Sequence, residues 1–263
     1  MSRNLLPKQT LSFLAATSMQ PQVSSMATKK TPKITSIETP VPMYEQVYQQ
    51  IVQALMAGHF EPGQKLTYRK VAEQFGTSPM PVRTAFQRLQ ALKGLELLPN
   101  GSVEVPLLTV KSFVSLTEAR IAIEGTATEL AASRLNGNNL RTVRHHCNQR
   151  TAAAKAGDID RYLQANFDFK FSIYRHCGNE HLIYIIEMLW LQAGPFLRKL
   201  VEGTPFTATE VLDVDFHDKI VAALEAKDPQ RAREAVAHDI RDAADYMLKY
   251  AKFLSDEDVR PAI

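Results

Sequence analysis

The sequence predicts a mainly α-helical protein, with an N-terminal winged helix-turn-helix domain and a C-terminal antiparallel six-helix bundle. Two short amphipathic segments meet at a glycine and are followed at once by an Asn-Gly turn between two strand-like runs. Beyond residue 109, apolar residues recur at helical spacing up to residue 254. The predicted organisation is a disordered tail (1–40), a winged helix-turn-helix (41–108), a helical domain (109–254) and a C-terminal tail (255–263).

The N-terminal tail is rich in Ser, Thr, Pro, Gln and Lys and shows no hydrophobic period, which is typical of disorder. It contains Met26, so a translation start at that residue is an alternative. The first helix is predicted from Met43 to Ala57, and Gly58 marks its end. Its apolar stripe is expected to consist of Tyr44, Val47, Ile51 and Leu55.

The helix-turn-helix begins with a short helix predicted from Leu66 to Gly76, where Thr67 is a plausible N-cap. Ser78 then caps a second helix, and Pro79 occupies the first helical position, where a missing N–H has no cost. In the second helix the inward-facing positions are Val82, Ala85, Phe86 and Leu89, and the outward-facing ones are Arg83, Gln87 and Arg88. The second helix of such a pair can enter a DNA major groove.

A β-hairpin is predicted directly after these helices, between Leu95 and Val105. Asn100-Gly101 stands between two strand-like runs, which favours a type I′ turn with positive φ at both residues. A helix-turn-helix followed by a hairpin is a winged helix. Each half taken alone also fits a plain helical hairpin or an Asn-Gly loop in another kind of α+β domain.

The rest of the chain is predicted to form six helices, separated by Gly-, Asn- and Pro-containing breaks. Their expected ranges are 109–135, 139–156, 158–177, 180–202, 208–226 and 229–254. A bundle of this size has room for an interior pocket.

Charge and composition limit the functions and the cellular locations that the sequence can be expected to have. The net charge is only +3, but the segment from His59 to Lys93 carries a net +4, and the chain from Lys111 onward a net −2. A basic surplus on the winged domain fits phosphate contacts. The two cysteines, Cys147 and Cys177, lack metal-type spacing and fit a reduced, cytoplasmic location. No apolar run has the length of a membrane span.

Polar residues interrupt the apolar stripes of four bundle helices. They are Arg120, Asn166, Lys170, His217 and Asp239. Because a buried charge must be paired or neutralised, these interruptions predict a shared polar centre. The alternative is that each is a separate half-buried residue or a private ion pair.

Three motifs carry a specific family resemblance: Glu61-Pro-Gly-Gln-Lys-Leu66, Val71-Ala-Glu-Gln-Phe-Gly76 and Pro81-Val-Arg-Thr-Ala-Phe-Gln-Arg-Leu89. In order and spacing they resemble the DNA-reading domain of the GntR superfamily of bacterial transcription regulators. Within it the chain is similar to the FadR-type branch, in its six-helix VanR-like variant, whose all-helical FCD domain binds an effector and contributes to dimerisation. The resemblance covers nearly everything from Tyr44 onward. It implies a homodimeric repressor that binds a palindromic double-stranded DNA operator and responds to a small organic acid.

The resemblance also implies DNA contacts. Arg69 and Arg83 match the family's DNA-contacting arginines, and Ser78 matches a hydroxyl that reaches phosphate or base. The full expected set is Arg69, Ser78, Met80, Arg83, Thr84, Arg88, Asn100 and Gly101. Pro79 and Gly101 stand where relatives usually carry arginine, so we expect a shorter or looser operator consensus.

For the effector site, the resemblance places the family's metal-ligand positions at Asn166, Lys170, His217 and Asp239. Only His217 keeps the family's ligand type, and the Lys170 ammonium has no lone pair for a cation. The neighbouring His238 points about 100° away on its helix. We therefore expect no metal and no cofactor. Lys170 would be held by Asp239, and Arg120 would serve as a second anion receptor.

Other functions remain open at the sequence level. A metal-dependent or ligand-independent regulator of the same fold is one alternative. A helical enzyme that uses Lys170 as a nucleophile is another, but no nucleophile motif, phosphate loop or cofactor fingerprint supports it. The sequence therefore predicts a regulator and not an enzyme.

Overall fold

A computed structural model of the chain describes residues 41–202 and 214–255, with side-chain positions left out for 199–202, 214 and 215. The predicted tail over 1–40 and most of the predicted tail over 255–263 therefore lie outside the described residues. Residues 41–108 form the winged helix-turn-helix, here called the reader domain. Its elements are α1 (Met43–Met56), β1 (Lys65–Leu66), α2 (Tyr68–Gln74), α3 (Pro79–Ala91), β2 (Glu96–Leu97) and β3 (Val103–Glu104).

The reader domain has an apolar core made by α1, α2 and α3. Thr67 caps α2 by accepting a hydrogen bond from the Lys70 N–H, as predicted, while Leu66 belongs to β1 and not to the helix. The buried face of α3 is Val82, Ala85, Phe86 and Leu89, as predicted. The stripe predicted for α1 is wrong at Tyr44, which is 43% exposed, because the helix turns Tyr48 inward beneath Arg88 instead.

The wing is a three-stranded antiparallel sheet in the order β1-β3-β2, so the predicted hairpin gains a third strand from the segment just before α2. The prediction of a type I′ turn is wrong. Gly101 has φ 79°, but Asn100 is not in the positive-φ region. The Gly101 N–H donates to the Leu98 carbonyl at 2.9 Å, which closes a turn with Pro99 at its second position. Proline fixes φ near −65°, so the loop becomes a type I turn followed by a left-handed glycine.

The helices after the linker are α4 (Val110–Ala132), α5 (Gly137–Ala156), α6 (Ile159–Tyr174), α7 (Glu180–Glu202), α8 (Val214–Glu225) and α9 (Pro229–Tyr250). They are here called the bundle. All six predicted helices are confirmed within a few residues, although the predicted start of the fifth at 208 lies outside the described residues. Asn136, predicted as part of a break, caps α5 by accepting hydrogen bonds from the N–H groups of Asn138 and Asn139. None of the helices in the described ranges is long and apolar enough to cross a membrane.

The last helix ends four residues earlier than predicted. Ala251 has ψ 157°, and the chain then runs extended back to the start of α4. There the Leu254 N–H donates to the Leu108 carbonyl at 3.0 Å. Phe253 stacks on Phe196 with the ring centroids 5.7 Å apart and packs against Phe113 at 5.1 Å. Aromatic burial and a strand-like bridge thus compete successfully with helix continuation.

Helix α7 connects the bundle to the reader domain. A Cβ atom added at Gly194 would lie 2.3 Å from the Leu55 carbonyl oxygen, so only glycine allows α7 to approach the end of α1 this closely. Arg198, one turn further, donates from Nε to the Gly58 carbonyl at 2.8 Å. Pro195 lies inside α7 and lacks the N–H that would bond to the Leu191 carbonyl. Backbone contact therefore fixes α7 against the reader domain.

Candidate functional site

The reader domain presents the eight residues predicted to contact DNA on its surface. Arg69, Ser78, Met80, Arg83, Thr84, Arg88, Asn100 and Gly101 are all exposed. They come from α2, from α3 and from the turn between β2 and β3, the elements by which a winged helix approaches a DNA duplex. The side chain of Met80 is 67% exposed, more than that of any other large apolar residue of the described ranges.

Arg83 is oriented by aromatic packing between α2 and α3. Its guanidinium carbon lies 5.4 Å from the ring centroid of Tyr68, and that ring packs against Phe86 with centroids 5.3 Å apart. Tyr68 is the first residue of α2, so the cation sits where the two helices of the motif meet. The Arg83 side chain is thus exposed to solvent and also held in one orientation by the Tyr68 ring.

Arg88 is held differently. Its Nη1 donates to the Glu45 carboxylate at 2.9 Å, and its guanidinium carbon lies 3.8 Å from the ring centroid of Tyr48. Both partners belong to α1, so this cation ties α1 to α3. Because the guanidinium is already bound within the reader domain, it is less available for DNA than that of Arg83.

The tip of the wing is shaped by one side chain. The Asn100 carboxamide oxygen accepts hydrogen bonds from the backbone N–H of Ser102 at 3.0 Å and from its hydroxyl at 2.6 Å. Gly101 projects with open space around its Cα. The tip therefore offers backbone rather than charge to a partner.

Inside the bundle, a cavity of about 320 Å³ brings together all five residues predicted for the effector site. This cavity is here called the effector cavity, after the site that the sequence predicts for these residues. It is lined by Arg120, Asn166, Lys170, His217 and Asp239, and also by Arg150, Tyr162, Trp190, Asp242, Asp245 and Tyr246 among other residues. Its size is at the lower end of the range for small-molecule sites. The interruptions of the apolar stripes thus share one polar centre, as predicted.

Arg120 is part of a closed network on one wall. Its Nε donates to Glu124 at 2.7 Å, and both side chains are almost fully buried. Tyr174 donates its hydroxyl hydrogen to the other oxygen of the same carboxylate. Burial and the adjacent Glu124 charge raise the pKa of Tyr174 well above its ordinary value, so the phenol stays a donor. The prediction did not include Glu124, although its position four residues after Arg120 was a usable signal.

Lys170 and Asp239 form a second closed pair. The Lys170 ammonium donates to Asp239, and Nδ1 of His217 lies 3.3 Å from the other carboxylate oxygen. Burial would raise the pKa of Asp239, but the neighbouring His217, Lys170 and Arg150 outweigh it and lower the pKa well below its usual range. Burial and the charges of Arg150 and Lys170 lower the pKa of His217 well below 6.5, despite Asp239. The imidazole is therefore neutral near pH 7.

These residues do not fit a divalent metal ion. Lys170 stands at one of the expected ligand positions, and its ammonium group has no lone pair to donate to a metal. The same ammonium group is bound to the carboxylate of Asp239, which a metal ion would need as a ligand. Within residues 41–202 and 214–255, His, Cys, Asp and Glu side chains form no group of three or more that could hold a metal ion. The same pairing leaves Lys170 as an ammonium without the lone pair that a nucleophile requires.

Arg150, which the prediction missed, is the third cation of the cavity. It is 4% exposed and donates from Nη2 to the Tyr162 hydroxyl at 2.6 Å. No carboxylate of the described residues lies within 4.0 Å of its guanidinium. Its place on the buried stripe of Val143, Cys147 and Ala154 was detectable at helical spacing.

Unsatisfied polar atoms concentrate around this cavity. Among the described side chains, six buried nitrogen or oxygen atoms lack a hydrogen-bond partner. Five of them belong to cavity-lining residues: Nε of Arg150, Nε1 of Trp190, both ring nitrogens of His217 and the hydroxyl of Tyr246. Nδ1 of His217 is close to the Asp239 carboxylate, at 3.3 Å, but the contact does not have hydrogen-bond geometry. Buried polar groups are normally hydrogen-bonded, so such a cluster requires waters or a ligand.

Comparisons with known proteins agree with this architecture. The family described as "Bacterial regulatory proteins, gntR family" matches residues 43–105, and the FCD domain matches residues 115–242. The chain is 30% identical over 193 residues to the HTH-type transcriptional regulator McbR of Escherichia coli (strain K12), covering 73% of this chain and 86% of McbR. It is also 30% identical over 195 residues to a protein of Paenarthrobacter nicotinovorans described as a "probable D-xylose utilization operon transcriptional repressor", covering 74% of this chain and 84% of that protein.

The solved structure of E. coli McbR/YncC superposes with a TM-score of 0.75 at 26% identity, covering 80% of this chain and 99% of that one. These relatives are transcription regulators and not enzymes. The matches span the reader domain and the bundle together, in the same order along the chain. The chain therefore belongs to the GntR family of bacterial regulatory proteins and is a DNA-binding transcription regulator with an FCD domain.

Proposed function

We propose that the protein is a repressor whose affinity for its operator is controlled by a small organic acid bound in the effector cavity. The observation that carries this proposal is the cluster of buried, unsatisfied polar atoms around a cavity beside α7. An adjacent face of that helix contacts the reader domain. A cytoplasmic location is part of the proposal, because the operator of a bacterial regulator lies on the chromosome.

The reader domain would bind DNA through α3 in the major groove, with Arg83 as the main base-reading side chain. An arginine that is bidentate to guanine contributes about 1–3 kcal/mol of discrimination. Arg69 at α2 and the basic surplus of the domain would contact phosphates and make the affinity depend on salt. Ser78, Met80, Thr84, Asn100 and Gly101 complete the proposed contact surface.

A single recognition helix reads only a few base pairs, so we propose a homodimer that binds two half-sites of a palindromic operator. Two-fold symmetry of the protein would then be matched by the DNA. Because Pro79 and Gly101 stand where relatives usually carry arginine, we expect a short or loose consensus sequence in each half-site.

Helix α7 is the proposed route from the cavity to the reader domain. Trp190 and Leu197 line the cavity from one face of this helix. Leu191, Gly194 and Arg198 contact the reader domain from another face, against Gly94, Leu55 and Gly58 respectively. A ligand that moves α7 would therefore move α1 with it. Such a ligand must bind the two arrangements with different affinities to act as a switch.

Within the cavity, Arg120, Asn166, Lys170, His217 and Asp239 would form the effector-binding site without a divalent metal. Elemental analysis of the purified protein tests the metal-free part. The proposal requires no stoichiometric zinc or nickel and an acid response that survives chelation. About one metal per chain, lost together with the response on chelation, would overturn it.

The DNA part is tested by selecting an operator from random DNA and measuring its affinity by fluorescence anisotropy. Arg83→Ala is expected to weaken binding by about tenfold to a hundredfold and to relax one base position. Arg241→Ala removes the same charge from an exposed position on α9 and should bind like wild type. If Arg69→Ala and Arg83→Ala both bind like the Arg241 control, the proposed docking is wrong.

A further inference from the structure

We infer that Arg150 is the anion receptor of the effector cavity and that the ligand it receives carries a single negative charge. The inference rests on the proposed function, because it assumes that the cavity binds an organic acid. It adds a residue and a charge state that the family resemblance does not supply.

The two other cations of the cavity already have permanent partners. Arg120 is bound to Glu124, and Lys170 is bound to Asp239, with each carboxylate within hydrogen-bond distance. An anion that used either cation would have to compete with a carboxylate already in place. Breaking a buried ion pair exposes an uncompensated charge to a low-dielectric environment, which is costly.

Arg150 has no such partner among the described residues. Its one described hydrogen bond goes to the neutral hydroxyl of Tyr162, and its Nε has no acceptor. Burial raises the pKa of Tyr162 and Arg150 lowers it, with the net result above the ordinary value, so the phenol does not supply a negative charge near pH 7. A guanidinium offers five N–H donors in a fork that matches a carboxylate. Arg150 is therefore a buried, preorganised and unneutralised anion site.

The charge balance decides the charge of the ligand. The cations Arg120, Arg150 and Lys170 face two buried carboxylates, Glu124 and Asp239, while His217 is neutral. Among these buried groups one positive charge remains, and one negative charge on the ligand neutralises it; the half-buried Asp242 and the exposed Asp245 lie outside this buried set.

A second negative charge would lack a partner and would meet Asp242 and Asp245 in the cavity lining. Asp245 is exposed and Asp242 is half-buried beside His238, with 3.3 Å between carboxylate oxygen and ring nitrogen. Because these carboxylates repel anions, they add to the discrimination against a dianion.

The other buried polar groups without a hydrogen-bond partner indicate what the uncharged part of the ligand must offer. Nε1 of Trp190 is a donor only, while the Tyr246 hydroxyl and the neutral His217 ring can donate or accept. The ligand is thus a small monocarboxylate with further polar atoms or an aromatic face, within a volume of about 320 Å³.

Binding is measured through the fluorescence of Trp190, the only tryptophan of the chain, which lines the cavity. The probes are two matched pairs, lactate against malate and benzoate against phthalate, in which the second member adds a carboxylate. We expect at least one monoanion to bind the full-length wild-type protein about tenfold or more tightly than its dianion partner. Arg150→Met is expected to weaken that binding by about thirtyfold or more. Arg150→Lys keeps the charge without the fork and should fall between the two.

A stability comparison checks that the loss of binding is not a loss of fold. Arg120→Met leaves Glu124 unpaired and should lower the midpoint of unfolding more than Arg150→Met, which leaves no carboxylate unpaired. If Arg150→Met is the more destabilised of the two, or if the dianions bind as tightly as the monoanions, the inference is overturned.

Measurements of operator binding distinguish a failure of this inference from a failure of the proposed function on which it rests. If an acid releases operator DNA from wild type and equally from Arg150→Met, the inference fails and the proposed function stands. If none of the four acids binds while the operator is bound normally, the inference and the effector part of the proposed function fail together.

Discussion

The cores of the reader domain and the bundle are built on opposite principles. In the reader domain the core is apolar, with Val82, Phe86 and Leu89 each at 0% exposure, the cations lie outside, and Glu104 at 6% is the one buried charged residue among those described. In the bundle, Arg120, Arg150, Lys170 and His217 are each buried to 5% exposure or less around a cavity. The first core holds a rigid surface for DNA. The second keeps polar groups unsatisfied, which costs stability and provides binding energy for a ligand.

The largest expected effect comes from comparing the Arg–Glu pairs of the two regions. Arg120–Glu124 and Arg88–Glu45 have similar lengths of 2.7 and 2.9 Å, but the first is buried while the Arg88 side chain is 51% exposed. Glu124→Gln is expected to cost about 3–5 kcal/mol because Arg120 stays buried without a counter-charge. Glu45→Gln is expected to cost about 1 kcal/mol or less. Urea denaturation of both variants measures the difference, and equal costs would refute the contrast between the two cores.

The contact between α7 and the reader domain should be the next most sensitive to mutation. A methyl group at Gly194 would lie 2.3 Å from the Leu55 carbonyl oxygen and 2.8 Å from that of Met56, and backbone atoms cannot rotate away. We expect Gly194→Ala to cost about 1–3 kcal/mol and to alter operator affinity. Gly137→Ala is the matched control in α5, since its Cβ would approach nothing closer than 3.9 Å. A Gly194→Ala protein as stable as this control, with unchanged operator binding, would show that α7 does not fix the reader domain.

The dependence of stability on pH should belong to the bundle. The pKa of His217 is lowered in the folded state by burial, so below about 6.5 the unfolded chain binds more protons than the folded one. The contribution is absent above the unfolded pKa. As the pH falls below about 6.5, folding stability should decrease by up to about 1.4 kcal/mol per pH unit.

His217→Gln should flatten this slope between about pH 7 and pH 5, above the range in which ordinary carboxyl groups titrate. The measurement is the free energy of unfolding at each pH, followed by Trp190 fluorescence. A slope that is unchanged in the variant would place the titrating group elsewhere.

The smallest predicted effect concerns Arg88 in the reader domain. Because this cation binds Glu45 and covers Tyr48, Arg88→Ala should cost about 0.5–1 kcal/mol of stability. The affinity for the operator should fall less in the Arg88→Ala variant than in the Arg83→Ala variant. If the order of the two affinities is reversed, Arg88 leaves α1 when DNA binds, and the prediction of a packing role is wrong.

The sequence predicted the reader domain better than the bundle for a physical reason. Caps, helical spacing and apolar faces are local signals, and they placed Thr67, Pro79 and the buried face of α3 correctly. The type I′ turn was wrong because Pro99 favours a different local geometry, and β1 was missed because its two residues gain strand structure only by pairing with β3.

In the bundle, periodicity identified five polar residues that do share a cavity. The Lys170–Asp239 pair was also expected, on the family resemblance, but the partner of Arg120 was not. Glu124 and Arg150 were missed although both had a signal along their own helices, at i+4 from Arg120 and on the buried stripe of α5. What spacing along one helix does not encode is that Arg150 meets the other cations in one cavity, because this depends on how the helices pack. The early end of α9 has the same origin, since Phe253 leaves the helical path to pack on Phe113 and Phe196.

Coupling between the effector cavity and the DNA surface must be reciprocal, and this reciprocity can be measured. Taking an acid that binds wild type, its dissociation constant is measured from Trp190 fluorescence with and without saturating operator. If the acid weakens operator binding by a given factor, the operator must weaken acid binding by that same factor, and we expect a change of about fivefold or more. An acid affinity that saturating operator leaves unchanged would show that the cavity and the DNA surface are not coupled.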